Sequence, residues 1–246
     1  MTHQGKDWID IHEIESQAVT SGDTVAVSNI RRVNYYNNEE FDNYSFEFSN
    51  KTYDLNELKR VWFFENNYGR LQSHIMLSFE FEHDVFLTVS VEVRKRNLKD
   101  FEVWHVFVKD FNIFYILSVE EDIIFLRTNI RKSPSYLYEL DLTQQQQRAL
   151  LLEVCASVNK TYKNNNIYKV FRTDCVSTLL SNFRAVGIPV KKYFWDWSPT
   201  RVLFRSGLIK GGYKTLAEVY EKTYINSRTE HAKQDITYSR IIRSRT

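Results

Sequence analysis

Glycine and proline are scarce in this chain, seven and three in 246 residues. That leaves little room for glycine-rich phosphate loops and disfavours a disordered chain. Cysteine is rarer still, with only Cys155 and Cys175. Two cysteines cannot build a disulfide framework, and no CxxC or HExxH spacing marks a metal site. A strong charge of one sign is also missing. The formal net charge is +2 and the isoelectric point lies near 8.4, too mild to imply a nucleic-acid partner. No apolar run reaches the ~18 residues that a bilayer span needs. The most apolar stretch, Phe111 to Leu117, has the length of a strand, and no amino-terminal segment reads as a signal peptide. The expectation is a chain soluble as it stands, with an anchor in a longer precursor left open. GxSxG, Walker and GxGxxG motifs are absent too, so neither a cofactor nor a metal is expected.

What the chain has in quantity is apolar and aromatic side chains. Hydrophobic residues make up 43% and aromatics 15%, enough for a well-packed globule. Neither an internal repeat nor a linker is visible. The simplest organisation is one α+β domain over residues 1–246, with a core at about 24–187 and a carboxyl-terminal extension at about 188–246.

The clearest local signal is the run LQSHIMLSFEFEHDVFLTVSVEVR, from Leu71 to Arg94. It alternates apolar and polar residues for two strands and breaks only at Glu82-His83-Asp84, as a β-hairpin does. A three-residue loop sets Phe81 opposite Val85. It then pairs Ser78 with Thr88, Met76 with Ser90, His74 with Glu92 and Gln72 with Arg94. One face carries Ile75, Leu77, Phe79, Val89, Val91 and Val93, a core face. The other sets an imidazole beside a carboxylate, an arrangement that orients and charges a base. A slip of one residue reverses every side chain, so this register is a sharp expectation.

Upstream, Thr24 to Tyr35 reads as a strand, Asn37 to Asn50 as a loop holding a short strand at Tyr44 to Phe48, and VWFF as another strand. Downstream, strands are expected at Val103 to Val108, Asn112 to Val119, Ile123 to Leu126 and Tyr136 to Leu140. Glu120-Glu121-Asp122 reads as closing a turn. Thr143 and Gln146 have the spacing of a capping box, opening a helix with Leu151, Cys155, Val158 and Tyr162 on one stripe. A short apolar run covers Ile167 to Phe171. A second helix starts with Asp174 as N-cap and Cys175 at the first position. Val176, Leu179, Leu180 and Phe183 form its stripe, and Gly187 and Pro189 stop it. The last sixty residues read as loops and short helices. The basic run from Asn226 reads as solvated, able to attract anionic lipid if a bilayer is near.

Cys175 is the candidate nucleophile. Free N–H groups and the macrodipole at a helix start favour thiolate, while a charged Asp174 opposes it. The bland alternative is a buried structural cysteine, which is the reading for Cys155. His74, beside Glu92, is the candidate base. The other histidines (His3, His12, His83, His105 and His231) read as incidental. Ser90 and Arg94 share the His74 face; Arg94 could hold a carboxylate or phosphate, or pair with Glu92.

The strings SHIMLSFEF, VSVEVR, EEDIIFLRTNIR, YLYEL and TDCVSTLL, in that order, carry a resemblance. Together with DTVAVSNIRRVNY and YDLNELKRVWFF, they resemble the amino-terminal periplasmic domain of the Lnb-type lipoprotein N-acyltransferases. The likeness spans roughly Asp7 to Gly187, and the final YSRIIR continues it. The family is similar to the circularly permuted papain-like superfamily, which includes lecithin retinol acyltransferase, where a strand histidine precedes a helix cysteine. The resemblance implies His74 as base, Cys175 as nucleophile and Glu92, or else Ser90, as the third, orienting residue. The polar face of the hairpin is then expected to lie under the start of the Cys175 helix, with His74 and Glu92 aimed at the sulfur. It implies an antiparallel sheet packed by the cysteine helix, a periplasmic or cell-envelope setting, a phospholipid acyl donor and a lipoprotein amine as acceptor. Members carry Asn just before the cysteine and a Tyr-Asn pair upstream; here those places read Asp174 and Tyr168-Lys169. Two other functions stay open: a cysteine amidase, peptidase or lipid hydrolase of the envelope, and a non-catalytic lipid- or protein-binding module.

Overall fold

A computed structural model describes residues 8–36, 43–67, 73–95, 111–164, 167–168, 175–191 and 198–244. The expected strand at Val103 to Val108 lies outside the described residues. The described strands are β1 (Gln17–Ser21), β2 (Thr24–Tyr35), β3 (Tyr44–Asp54), β4 (Leu58–Asn67), β5 (Ser73–Phe81), β6 (Val85–Val93), β7 (Phe111–Ser118), β8 (Ser135–Glu139) and β9 (Ile167–Tyr168). They form one sheet in the order β1-β2-β7-β6-β5-β4-β8, with β3 on β2 and β9 on β7. Its heart is the meander from β4 to β7, antiparallel throughout. The sheet as a whole is mixed and not purely antiparallel, because β2 meets β7 in parallel at Arg31 and Ser118.

The hairpin forms in the expected register. Phe81 faces Val85, Ser78 faces Thr88 and Met76 faces Ser90 across the three-residue turn Glu82–Asp84. Strict alternation then gives the sheet two different faces. On one, Ile75, Leu77, Phe79, Leu87, Val89 and Val91 join Phe63, Tyr115 and Tyr138 in the larger core. On the other, Met76, Phe64, Phe114 and Ile116 form a smaller core. Around it stand buried Ser78, Thr88 and Ser90.

Helix α1 (Glu120–Phe125) and a following π-turn, Leu126–Ile130, pack on the smaller core. The strand expected at Ile123 to Leu126 is therefore helical. A short apolar run has no period to tell the two apart. The three acids before it do not close a turn but form the helix's first turn, where the macrodipole favours them. Each is buried and paired from elsewhere in the chain. Asp122 takes Arg31 (2.9 Å), Glu121 takes Arg32 (2.9 Å) and Glu120 takes Arg243 (2.6 Å).

Helices α2 (Gln144–Asn164) and α3 (Cys175–Ala185) cover the larger core. The capping box of α2 is formed: the Gln146 N–H donates to Thr143 Oγ1 at 3.2 Å, and the Thr143 N–H donates to Gln146 Oε1 at 3.0 Å. Short helices follow at α4 (Pro199–Arg205), α5 (Leu216–Thr223), α6 (Asn226–Thr229) and α7 (Tyr238–Ile241). The basic carboxyl-terminal run keeps Lys233 and Arg240 in solvent, as expected, but it is anchored between them and beyond. Tyr238 and Ile242 are fully buried in the smaller core, and Arg243 lies over the rings of Trp62 and Phe86. The chain thus builds helix, sheet and helix layers, one apolar face of the sheet under each helical layer.

Candidate functional site

His74 sits near the start of β5, on the face of the smaller core. Its Nε2 lies 2.8 Å from Ser90 Oγ and 3.1 Å from Glu92 Oε1. Ser90 Oγ in turn donates to the same Glu92 oxygen at 2.8 Å. These contacts assign the protons. An ionised carboxylate only accepts, so the Ser90 hydroxyl proton is committed to Glu92. Ser90 Oγ can then only accept from His74, which puts the imidazole proton on Nε2 and leaves the lone pair on Nδ1. In a neutral imidazole so held, Nδ1 is the nitrogen able to take a proton from another group. Both side chains are mostly covered, with 12% of His74 and 21% of Glu92 exposed.

A residue that sequence reasoning passed over completes this arrangement. Arg127, in the π-turn and 4% exposed, donates from Nη2 to Glu92 Oε1 at 2.6 Å. Burial by itself would raise the Glu92 carboxyl. When His74 is protonated its charge, together with that of Arg127 and hydrogen bonds from His74 and Ser90, outweighs that and holds it well below the ordinary carboxylate range. The π-turn is part of this geometry. Its i→i+5 bond, from the Arg131 N–H to Leu126 O (2.9 Å), resets the helix direction just where Arg127 leaves it. A signal was available in the sequence: Arg127 is a cation set directly after the apolar run IIFL.

Arg94 does not pair with Glu92. Its guanidinium bonds Glu15 (2.5 Å) and the carbonyls of His12 (2.9 Å) and Glu13 (2.6 Å), and it lies over the Trp8 and Phe114 rings. It ties the amino-terminal segment to the end of β6. His12, expected to be incidental, is buried with its ring edge-on to Phe114, and its Nδ1 accepts the Lys95 N–H at 3.1 Å. Burial, followed by the charge of Arg31, lowers its pKa well below the usual histidine value. It belongs to the packing behind the site.

The described part of α3 begins at Cys175, while Asp174 and the Cys175 side chain lie outside the described residues. Leu179, Leu180 and Phe183 of α3 are fully buried in the larger core. The helix ends in a Schellman motif. Ile188 N–H donates to Phe183 O (2.9 Å) and Gly187 N–H to Arg184 O (3.0 Å), with Gly187 at φ +74°.

Two contacts fix which way α3 runs. Before it, β9 pairs with Phe111 and Asn112, and Asn112 O accepts the Arg94 N–H, two residues past Glu92. After it, Lys191 N–H donates to Ser206 Oγ, close to Leu208, whose carbonyl accepts the Asp141 N–H. Asp141 follows Leu140, which bonds Val61 O, and Val61 faces Phe79. So α3 runs from the His74 end of the sheet towards the Phe79 end. The lengths agree: an eleven-residue helix spans ~16 Å and Ile75 to Phe79 spans ~13 Å.

Cys175 therefore starts at the end of the sheet where His74 lies, but α3 packs on the opposite face from the imidazole. The expectation that the His74 face lies directly under the helix is corrected. The reason is chemical. The apolar stripe of α3 seeks the Ile75–Val91 face, whereas Ser78, Ser90 and Glu92 need partners that α1 and the π-turn can supply.

At that same end, on the α3 face, stands a second acid missed from sequence. Glu65 is fully buried and accepts from the Thr200 backbone N–H (3.0 Å), from the Thr200 hydroxyl and from Ser73 Oγ (2.9 Å). Burial raises its carboxyl despite those bonds. It anchors the start of α4. Cys155 lies in the larger core, where burial pushes its thiol up to about 12, so it is chemically silent at neutral pH. A shallow cavity of about 460 Å³ lies at the far end of the sheet. Lys59, Glu82, Asp141 and Lys210 help to line it, and none of the residues around His74 does.

Comparison with known proteins gives a family. The description "Lnb N-terminal periplasmic domain" matches residues 44–203, from β3 into α4. That span contains His74, Ser90, Glu92, Arg127 and Cys175. No curated protein and no solved structure matches the chain. Among the described residues no helix is long and apolar enough to cross a membrane. With 160 of its 246 residues matched, the chain belongs to the Lnb N-terminal periplasmic domain family.

Proposed function

We propose that this domain is a cysteine-dependent acyltransferase of the periplasm or cell envelope, moving an acyl chain from a phospholipid to a lipoprotein amine. The observation that carries the reading is the His74–Ser90–Glu92 arrangement, which holds a proton on Nε2 and leaves Nδ1 as a base. The start of α3 at the same end of the sheet adds to it, as does the family.

The reaction runs in two halves. His74 Nδ1 takes the proton of the Cys175 thiol, and the thiolate attacks the ester carbonyl of the lipid. Backbone N–H groups in the first turn of α3 bind the oxyanion. The lyso-lipid alkoxide leaves with the proton from His74, and a thioester remains on Cys175. An amine then attacks the thioester and gives a proton to His74. The amide departs, the thiolate leaves as Cys175, and the proton returns to it. Glu92 stays ionised and steadies the imidazolium. No cofactor or metal takes part in this scheme.

Hydrolysis is the same chemistry with water in place of the amine; turnover of peptide without turnover of lipid would assign an amidase or peptidase instead. The packing of α3 on the face opposite His74 favours a second reading, a non-catalytic lipid- or protein-binding module. The deciding experiment is acyl-enzyme formation with a phospholipid or an activated ester. Labelling in the wild-type chain and none in Cys175→Ala is expected. Labelling retained in Cys175→Ala overturns the assignment.

A further inference from the structure

His74 and Arg127 meet on one atom, Glu92 Oε1, at 3.1 and 2.6 Å. Arg127 makes the shorter bond and carries a permanent charge, so the carboxylate belongs to it more than to the imidazole. A carboxylate held by histidine alone would favour the imidazolium, which cannot act as a base. We propose that Arg127 is a positioning residue that shares Glu92 with His74 and thereby keeps the imidazole neutral and oriented for proton abstraction. This rests on His74 being the base of the proposed reaction.

The surroundings of Glu92 support that division of labour. From β5 it faces His74, from its own strand Ser90, and from the π-turn Arg127. Across the sheet it stands opposite Phe114 of β7, whose ring carries His12 at its edge. Arg31 of β2 contributes positive charge from further off but is held by Asp122 at 2.9 Å, and Arg94 is held by Glu15. Among the described residues, Arg127 is thus the permanent cation that binds Glu92 directly.

Removing a cation makes every neighbouring site bind protons more readily, so the sign of the test is fixed. His74 is titrated by NMR through its ring carbon in wild type, Arg127→Met and Arg127→Lys. The expected result is a midpoint about one pH unit higher in Arg127→Met, roughly tenfold in proton affinity, and little change in Arg127→Lys. A folded Arg127→Met with an unmoved midpoint assigns Arg127 to packing alone and overturns the proposal. Should Arg127→Met not fold, the wild-type chain still decides through the Glu92 carboxyl carbon. No titration above about pH 4 is expected, and a midpoint at or above the ordinary carboxylate value overturns the proposal. Neither titration requires Cys175, so failure here is separable from failure of the acyl-enzyme experiment.

Discussion

His74 Nε2 lies 2.8 Å from Ser90 Oγ, directly behind the Glu92 carboxylate to which that hydroxyl donates. The order His74, Ser90, Glu92 is a relay of donors that ends on an anion, with the imidazole also 3.1 Å from that anion directly. Ser90 is therefore a hinge of the arrangement and not a bystander on the strand.

Ser90→Ala removes the middle of that relay but leaves the 3.1 Å approach of His74 to Glu92. The ring loses one of two acceptors, and about 1 kcal/mol of stability goes with the lost hydrogen bonds. Alkylation of Cys175 at neutral pH should slow by a few-fold to about tenfold, as expected for a base that stays present but is held less well. Urea unfolding and the alkylation rate together check this. An unchanged rate would put Ser90 outside the site.

Glu92 makes the fold's stability depend on pH in a stated direction. Its folded pKa is depressed, so it binds protons less readily folded than unfolded. Its contribution is fully present above the unfolded carboxylate value, about 4.3, and is lost as pH falls through the folded value. Denaturant unfolding of the wild type should therefore weaken as pH falls below about 5, and Glu92→Gln should flatten that slope. At pH 7 Glu92→Gln leaves Arg127 without its carboxylate and should cost about 3 kcal/mol. An equally steep acid limb in the variant would mean that other carboxylates set it.

Gly187 tests the end of α3. It holds φ +74°, and a Cβ built there meets nothing within 4 Å, so backbone strain is the whole cost of a side chain. Gly187→Ala should lower stability by about 1–2 kcal/mol without touching His74. A thermal shift with an unchanged His74 titration is the expected pair of results.

Much of this is legible in the sequence, and the reason is periodicity. The two-residue period of Ser73 to Val93 set the hairpin register, and with it the neighbours His74, Ser90 and Glu92. The caps at Thr143 and Gly187 were readable because their chemistry is local. What could not be read depended on distant partners. Ile123 to Leu126 became helix because Glu120, Glu121 and Asp122 found Arg243, Arg32 and Arg31. Those arginines lie about 90 to 120 residues away in sequence. Arg243 in particular is drawn under cover from a run that keeps Lys233 and Arg240 in solvent. β3 proved longer than the Tyr44 to Phe48 expected, because its Asn- and Lys-containing second half pairs with β2 on a largely exposed edge. Which face α3 would choose was likewise invisible, since both faces of the hairpin are buried and only α1 decides which is taken.

The central claim is that His74 activates Cys175, and the pH dependence of Cys175 alkylation tests it most directly. Cys155 gives no interfering signal, with its thiol buried and pushed up to about 12. In the wild-type chain iodoacetamide should modify Cys175 readily at pH 6 to 7. In His74→Gln the rate there should fall by about tenfold or more and follow an ordinary thiol near pH 8.5. Identical profiles in the two chains, both rising only near that ordinary value, would contradict the claim.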